Sequence, residues 1–121
     1  MERPFRHITV ERKNGVFFVR LRRSRMDETD ILEMADELVS LIADESCRKM
    51  AFSLGPNQVE CLYSVFLAKL VMIRRLLGER DGKLKICEAT PETVGVLEAC
   101  HLKEYFDFVP DQQTAIAELS K

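Results

Sequence analysis

The sequence predicts an α/β fold with a mostly parallel sheet of about five strands, an N-terminal hairpin and about four helices. Two observations support this prediction. An Asn-Gly pair separates two segments of β character near the N-terminus, and from residue 27 onward helical and strand-like hydrophobic patterns alternate. Strands separated by helices pair in parallel through right-handed crossovers, so the order β β α β α β α β α favours one largely parallel sheet.

The N-terminal hairpin is predicted from residues 7–21. Ile8 and Val10 alternate with polar neighbours, and residues 16–21 form a run of β-branched and aromatic side chains. Asn14 and Gly15 between the two runs accept the positive φ angles of a type I′ turn, which suits the twist of paired strands. The hairpin therefore adds one antiparallel edge to the sheet.

The first helix is predicted from Asp27 to about Glu45, with Asp27 or Thr29 as its cap, because apolar residues recur there at helical spacing. These residues are Ile31, Ala35, Leu38 and Ile42. The acids on its other faces, Glu33, Asp36 and Glu37, are interpreted as solvent-exposed. Residues 49–54 are short and apolar, which favours a buried strand that ends at Gly55.

The second helix is predicted over residues 65–77 and is followed by a strand at residues 83–87. The apolar stripe of this helix comprises Phe66, Leu70, Ile73 and Leu77. The third helix begins at the Thr-Pro-Glu sequence of residues 90–92, which supplies a cap, a first-position proline and a first-turn acid. Its inner stripe is predicted as Val94, Leu97 and Cys100 or His101.

The C-terminal segment is predicted as a short strand followed by a fourth helix. Residues 105–109 form the strand, Pro110 ends it, and Asp111 caps the helix. The inner residues of this helix are Ala115, Ile116 and Leu119.

Length and charge limit the function classes. A chain of 121 residues with 46% hydrophobic residues can fill one core, so residues 1–121 are predicted to form a single domain. The net charge of -2 gives no overall basic field, which argues against direct nucleic-acid binding. The one local basic run is interpreted as a solvated strand edge and turn, neutralised by the acids at positions 27, 28 and 30. This run comprises Arg20, Arg22, Arg23 and Arg25.

No signal-peptide pattern and no apolar run of membrane-spanning length occur, so we expect a cytoplasmic protein without a membrane role. The cysteines are widely spaced without a C-x-x-C pair, and free thiols are expected. They are Cys47, Cys61, Cys87 and Cys100. His7 and His101 are too far apart in sequence to indicate a metal site, and we predict neither a metal nor a cofactor.

The sequence does not carry the common catalytic motifs of α/β proteins. Glycine-rich nucleotide loops and the G-x-S-x-G nucleophile elbow do not occur, so we predict that the chain is not an enzyme. Cys61 is the best alternative, because it precedes a helix whose N-terminal amides could stabilise a thiolate. The competing interpretation is a small apolar residue packed in the loop.

The C-terminal half resembles the STAS domain of bacterial anti-sigma factor antagonists. The similarity runs from Val59 to Ile116 and includes the segments VECLYSVFLAKLVMIRRL and GKLKICEATPETVGVLEACHLKEYFDF. The positions that match the family pattern are Gly82, Thr90, Pro91, Glu92, Leu97, Leu102 and Phe106. The N-terminal half matches only in its order of elements and its hydrophobic pattern.

The resemblance implies partner switching. In this family the unphosphorylated domain binds an anti-sigma factor or GHKL-type serine kinase, phosphorylation at the start of the second helix releases it, and a cognate phosphatase restores binding. The resemblance thus implies a phosphoprotein that regulates transcription through protein binding. We expect a monomer or a weak dimer.

Aligned by its apolar stripe, the second helix places Ser64 at the position of the family's phosphoacceptor. A count without gaps from the preceding strand would instead place Leu62 there, and Ser64 could also serve only as a helix cap. Tyr63, Val65 and Phe66 differ from the acidic, small and glycine residues usual around the acceptor.

The predicted partner-binding residues are Asn57, Gln58, Glu60, Leu62, Tyr63, Ser64 and Phe66, although the stripe also assigns Phe66 to the core. A second hypothesis is a domain that senses a small ligand, a nucleotide or a lipid, without a phosphorylation switch.

Overall fold

The computed structural model describes residues 5–55, 58–61 and 63–120, and for Tyr63 the backbone alone. The strands are β1 (Ile8–Lys13), β2 (Val16–Leu21), β3 (Lys49–Ser53), β4 (Lys83–Cys87) and β5 (Asp107–Val109). The helices are α1 (Glu28–Asp44), α2 (Tyr63–Glu79), α3 (Pro91–Ala99) and α4 (Gln112–Leu119). Within these residues the sheet order is β1-β2-β3-β4-β5, with β1 antiparallel to β2 and the other pairs parallel. The predicted fold class is confirmed.

The N-terminal hairpin forms as the Asn-Gly pair predicts. Asn14 and Gly15 have φ angles of 54° and 78°, and Lys13 pairs with Val16 across the two-residue turn. Positive φ at both central residues is the property of a type I′ turn.

The sheet is covered on both faces, and alternate residues of its strands enter two clusters. In β2, Phe17 and Val19 pack in the larger cluster with α1 and α2, whereas Val16 and Phe18 pack in the cluster with α4. The period of two along a strand explains this division, because successive side chains point to opposite faces. The predicted inner residues of α1, α2 and α4 are all buried.

Side-chain caps fix the start of three helices. Asp27 and Asp30 form a capping box at α1, since each carboxylate accepts a hydrogen bond from the backbone N–H of the other. Thr90 accepts from the N–H of Thr93 at α3, and Asp111 caps α4 in the same way. Each of these caps was predicted from the sequence.

The third helix differs from the prediction in its inner stripe and its end. Thr93 and Leu97 are buried, whereas Cys100 and His101 are exposed and lie beyond the last helical residue, Ala99. His101 has a φ of 59°, which turns the chain out of the helix. The last strand is also shorter than predicted, because Tyr105 belongs to a turn that its N–H closes with the carbonyl of Leu102.

In the part of the chain that is described, none of the helices is long and apolar enough to cross a membrane.

Candidate protein-interaction site

Three loops meet at the carboxyl ends of the parallel strands. They follow β2, β3 and β4 and lead into α1, α2 and α3. This edge is where open α/β sheets place their binding residues, because the loops there can vary without disturbing the sheet. The loop between β3 and α2 lies between the other two.

The loop after β2 forms backbone hydrogen bonds with one side of the segment before α2, whose described residues are 58–61. The N–H of Glu60 donates to the carbonyl of Ser24 at 2.7 Å, and the N–H of Met26 donates to the carbonyl of Glu60 at 2.9 Å. Arg25 and Glu60 thereby form a short parallel bridge outside the main sheet. The start of α2 is therefore joined to the loop that precedes α1.

The turn after β4 holds the other side through the carboxylate of Glu88. Its Oε1 accepts from the Ser53 hydroxyl at 2.6 Å and from Nη2 of Arg20 at 2.9 Å. Ser53 is buried, and its Oγ also accepts from the N–H of Gly55 at 3.2 Å. One carboxylate thus joins the ends of β2, β3 and β4.

Two hydrogen bonds from Gln58 connect the same loop to α3. Its Nε2 donates to Oγ1 of Thr93 at 3.0 Å, and its Oε1 accepts from the hydroxyl of Thr90. Gln58 is half-buried by these contacts. Bonds on both sides reduce the number of conformations open to residues 58–61, which lowers the entropy lost by these residues when a partner binds.

The charge state of Glu88 depends on these contacts. Burial raises the pKa of its carboxyl, but the hydrogen bonds from Ser53 and Arg20 and the positive charge of Arg20 outweigh burial and lower the pKa below the usual value. Glu88 is therefore ionised at neutral pH, which keeps both hydrogen bonds charge-assisted.

Ser64, the predicted phosphoacceptor, is exposed in the first turn of α2. The helix begins at Tyr63, so Ser64 lies at the very start of α2. The alternative that Ser64 serves only as a helix cap stays a prediction. Its assignment as the phosphoacceptor remains a prediction.

The other predicted partner-binding residues differ in how exposed they are to solvent. Glu60 is exposed and Gln58 is half-buried, whereas the side chain of Phe66 is fully buried. Including Phe66 in the partner surface was wrong, because it begins the apolar stripe and packs in the core. Asn57, Leu62 and the side chain of Tyr63 lie outside the described residues.

Cys61 does not have the properties of a catalytic thiol. It is half-buried beside the core, and burial raises its pKa to about 11. A nucleophilic cysteine needs a lowered pKa, because the thiolate is the reactive form. These properties favour the interpretation of Cys61 as a small apolar residue packed in the loop over the thiol-enzyme alternative. The other cysteines are also free thiols.

A cluster of possible metal ligands lies where α1 meets the start of β1. Ligand atoms of His7, Asp30 and Glu33 lie within 4.8 Å of one another. All three already have other partners: His7 Nε2 contacts Glu33 Oε1 at 2.9 Å, and Asp30 belongs to the capping box. Arg6 lies 3.7 Å from Glu33 and opposes a cation there.

The acids on α1 have a role that the amphipathic pattern did not predict. Glu37 accepts from the N–H groups of Arg6 and His7 at 2.7 and 3.0 Å, and Glu33 contacts both of their side chains. Glu33 and Glu37 keep part of their surface exposed to solvent and also tie the N-terminal segment to α1. Asp36 is exposed as predicted.

A small cavity opens between the ends of β2 and β3. Its volume is about 180 Å³, and Arg20, Arg22, Ser53 and Val59 are among its lining residues. Pockets that enclose a whole organic ligand measure roughly 300 to 1,000 Å³. This cavity by itself is too small to enclose a nucleotide or a lipid.

Sequence reasoning missed Arg20, Ser53, Glu88 and Thr93 as residues that shape the site. Each lies at or directly after the end of a strand, or in the first turn of a helix, at the carboxyl edge of the sheet. Polar residues directly after buried strands are a signal that could have identified Ser53 and Glu88. Their pairing depends on strand order, which the pattern alone does not specify.

Comparisons with known proteins give structural matches. Neither the protein-family profiles nor the curated proteins contain a match. A STAS-domain anti-sigma factor antagonist from Planctomyces limnophilus superposes with a TM-score of 0.80 at 22% identity, covering 94% of this chain and 98% of its own. A candidate anti-sigma factor antagonist from Thermotoga maritima also gives 0.80, at 13% identity, covering 94% and 95%.

This chain has the fold of a STAS domain. The Bacillus cell fate determinant SpoIIAA in its phosphorylated form shares that fold, with a TM-score of 0.69 at 12% identity over 92% of this chain and 97% of its own. The resemblance found in the sequence is thus confirmed at the level of the STAS fold. At these identities the comparisons establish the fold alone.

Proposed function

We propose that this chain is a non-catalytic protein-interaction module, similar to an anti-sigma factor antagonist, whose binding is controlled by phosphorylation of Ser64 in bacterial signalling. The observation that carries the proposal is the exposed Ser64 in the first turn of α2, directly after a loop that is hydrogen-bonded on both sides. The STAS fold, shared with proteins described as anti-sigma factor antagonists, supports it.

The switch follows from the charge of a phosphate. Transfer forms a bond between Ser64 Oγ and the γ-phosphorus of ATP, breaks the bond from that phosphorus to the bridging oxygen, and releases ADP and the hydroxyl proton. A phosphoserine carries about -1.5 to -2 charges at pH 7. Within an interface this charge causes repulsion and a desolvation cost, so the phosphorylated domain dissociates.

The proposed partner is an anti-sigma factor or GHKL-type serine kinase, and a cognate phosphatase removes the phosphate. The contact surface comprises Glu60, Ser64 and the exposed part of Gln58, together with Asn57, Leu62 and Tyr63. We further propose that the protein acts in the cytoplasm as a single domain, monomeric or weakly dimeric.

The test is phosphorylation of the purified protein with ATP by each GHKL-type serine kinase encoded in the host genome. Wild-type protein, Ser64→Ala and Ser40→Ala are compared by peptide mass mapping. We expect one phosphoryl group on the peptide that contains Ser64, no modification of Ser64→Ala, and normal modification of Ser40→Ala, whose serine lies on α1.

Titration calorimetry with the same kinase then measures the effect on binding. We expect phosphorylation to weaken binding by roughly tenfold or more, which corresponds to about 1.4 kcal/mol. Equal affinity of the two forms would contradict the switch, and absence of binding to every such kinase would contradict the proposed partner class.

A further inference from the structure

The loop between β2 and α1 carries two arginines without an acidic partner. Among the described residues, Arg23 and Arg25 are exposed and neither forms an ion pair. The sequence predicts neutralisation by Asp27, Glu28 and Asp30, and Asp27 and Asp30 do line the same groove as the arginines. Their carboxylates, however, accept hydrogen bonds from backbone N–H groups at the start of α1, at 2.8 and 3.1 Å, and not from either guanidinium group. Both guanidinium groups are therefore available to an anion.

The loop that carries these arginines lies beside the segment that leads into α2. The backbone bonds between Ser24, Met26 and Glu60 hold the loop against the segment that leads into the helix. Arg23 and Arg25 line a groove of about 620 Å³ whose wall includes Glu60 and Cys61. Cys61 is three residues before Ser64, whose exposed side chain lies in the first helical turn.

We propose that Arg23 and Arg25 form an intramolecular receptor for a phosphoryl group on Ser64, an inference that rests on the proposed function. A phosphoserine offers three strong acceptor oxygens, and guanidinium groups bind such oxygens through paired N–H donors. The first turn of α2 also favours a negative charge. The choice of arginine at both positions suits this role, because lysine presents a point charge without the paired donors.

The receptor gives phosphorylation a second consequence. In the unphosphorylated protein the two arginines remain open in the groove beside the segment that leads into α2, whereas in the phosphorylated protein they are occupied by the phosphate. Phosphorylation thus adds a negative charge and also removes two positive groups from the surface offered to a partner. The β2–α1 loop becomes the element that distinguishes the two states.

The acids that line the groove oppose the phosphate and provide a directional test. Asp27 and Asp30 are held by the capping box, whereas the exposed Glu60 has no such carboxylate contact among the described residues. Neutralising Glu60 therefore strengthens retention of the phosphate, and neutralising either arginine weakens it.

The experiment uses full-length protein in which phosphoserine is installed at position 64 by genetic encoding. Phosphorus NMR measures the second pKa of the phosphate, which is about 6 for a free phosphoserine. We expect a value about one unit lower in the wild-type background, which is a tenfold lower proton affinity. The double variant Arg23→Gln/Arg25→Gln should return the pKa to about 6, and Glu60→Gln should lower it further.

Arg75→Gln is the matched control, because Arg75 is exposed on α2 about three turns beyond Ser64. It should leave the phosphate pKa unchanged, and circular dichroism verifies that each variant is folded. Equal phosphate pKa values in the wild-type background and the double arginine variant would overturn the receptor.

Because the phosphoserine is installed directly, this result does not depend on any host kinase. If Arg23 and Arg25 do not affect the phosphate pKa, the receptor is refuted but the proposed phosphorylation switch is not. Conversely, absence of kinase-dependent phosphorylation would refute the switch without changing the phosphate titration.

Discussion

Gly55 and Glu88 approach each other closely where the chain leaves β3. A Cβ atom on residue 55 would lie 2.3 Å from the carbonyl oxygen of Glu88, which is far inside van der Waals contact. Glu88 itself has a φ of 59°, a conformation that costs a non-glycine residue roughly 1 to 3 kcal/mol. The hydrogen bonds of its carboxylate to Ser53 and Arg20 offset that strain.

Gly55→Ala should lower the free energy of unfolding by about 1 to 3 kcal/mol, because the clash is with backbone atoms that cannot rotate away. Urea denaturation measures the loss. Gly95→Ala is the matched control, since a Cβ there meets no atom within 4 Å and alanine favours the helix, with a gain of up to about 1 kcal/mol. Equal stability of the Gly55→Ala variant and the wild type would show that the loop can take another path.

Glu88→Gln should destabilise the protein more at pH 7 than at pH 3. The folded-state pKa of Glu88 lies below its unfolded value, so its stabilisation is complete above the unfolded pKa and disappears as pH falls through the folded pKa. Unfolding free energies of both proteins across this range provide the measurement. If the difference in unfolding free energy between the two proteins does not change with pH, the charge of Glu88 does not contribute to stability.

At the scale of elements, the start of α3 stabilises its own helix and the neighbouring loop. Thr90 accepts from the N–H of Thr93 at 3.3 Å and donates its hydroxyl proton to Gln58. The cap therefore links helix formation in α3 to the order of the segment before α2.

Thr90→Ala should cost about 1 to 2 kcal/mol and also speed hydrogen exchange of the amides of residues 58–61. Asp111→Ala removes the comparable cap of α4 and should cost a similar free energy without affecting residues 58–61. Mass spectrometry of exchanged peptides separates the two effects. If both variants leave this segment equally protected, the Thr90 contact does not order the loop.

At the scale of the whole molecule, the two clusters on opposite faces of the sheet protect most of the thiols. Cys47 and Cys87 are buried, and burial, the largest cause, raises the pKa of each to about 12. Cys61 is half-buried with a pKa of about 11, whereas Cys100 is exposed. Thiol reactivity can therefore report on opening of the fold.

In the native protein at pH 8, one thiol should react rapidly with a disulfide reagent, and the other three should react only as the structure opens. Absorbance of the released thiolate follows the reaction. Cys100→Ser should remove the fast phase, and urea should expose the remaining thiols. A fast phase that persists in Cys100→Ser and disappears in Cys61→Ser would restore Cys61 as a candidate nucleophile.

The sequence by itself determined the elements of this protein. Period-two and period-3.6 patterns specify strands and helices locally, and the Asn-Gly turn and the Asp27, Thr90 and Asp111 caps are properties of adjacent residues. The boundaries of β4 follow directly from its alternating side chains. The prediction failed at Cys100 and His101, where helical spacing continues but the chain turns away.

Only the tertiary structure decided how the candidate site is assembled. The Ser53–Glu88 and Gln58–Thr93 contacts each join residues 35 positions apart, and the Arg20–Glu88 contact spans 68 positions. Such pairs depend on which strands are neighbours and on their register, which a local pattern does not encode. For the same reason Arg23 and Arg25 could be recognised as unpaired only once the adjacent carboxylates were found bound to the backbone of α1.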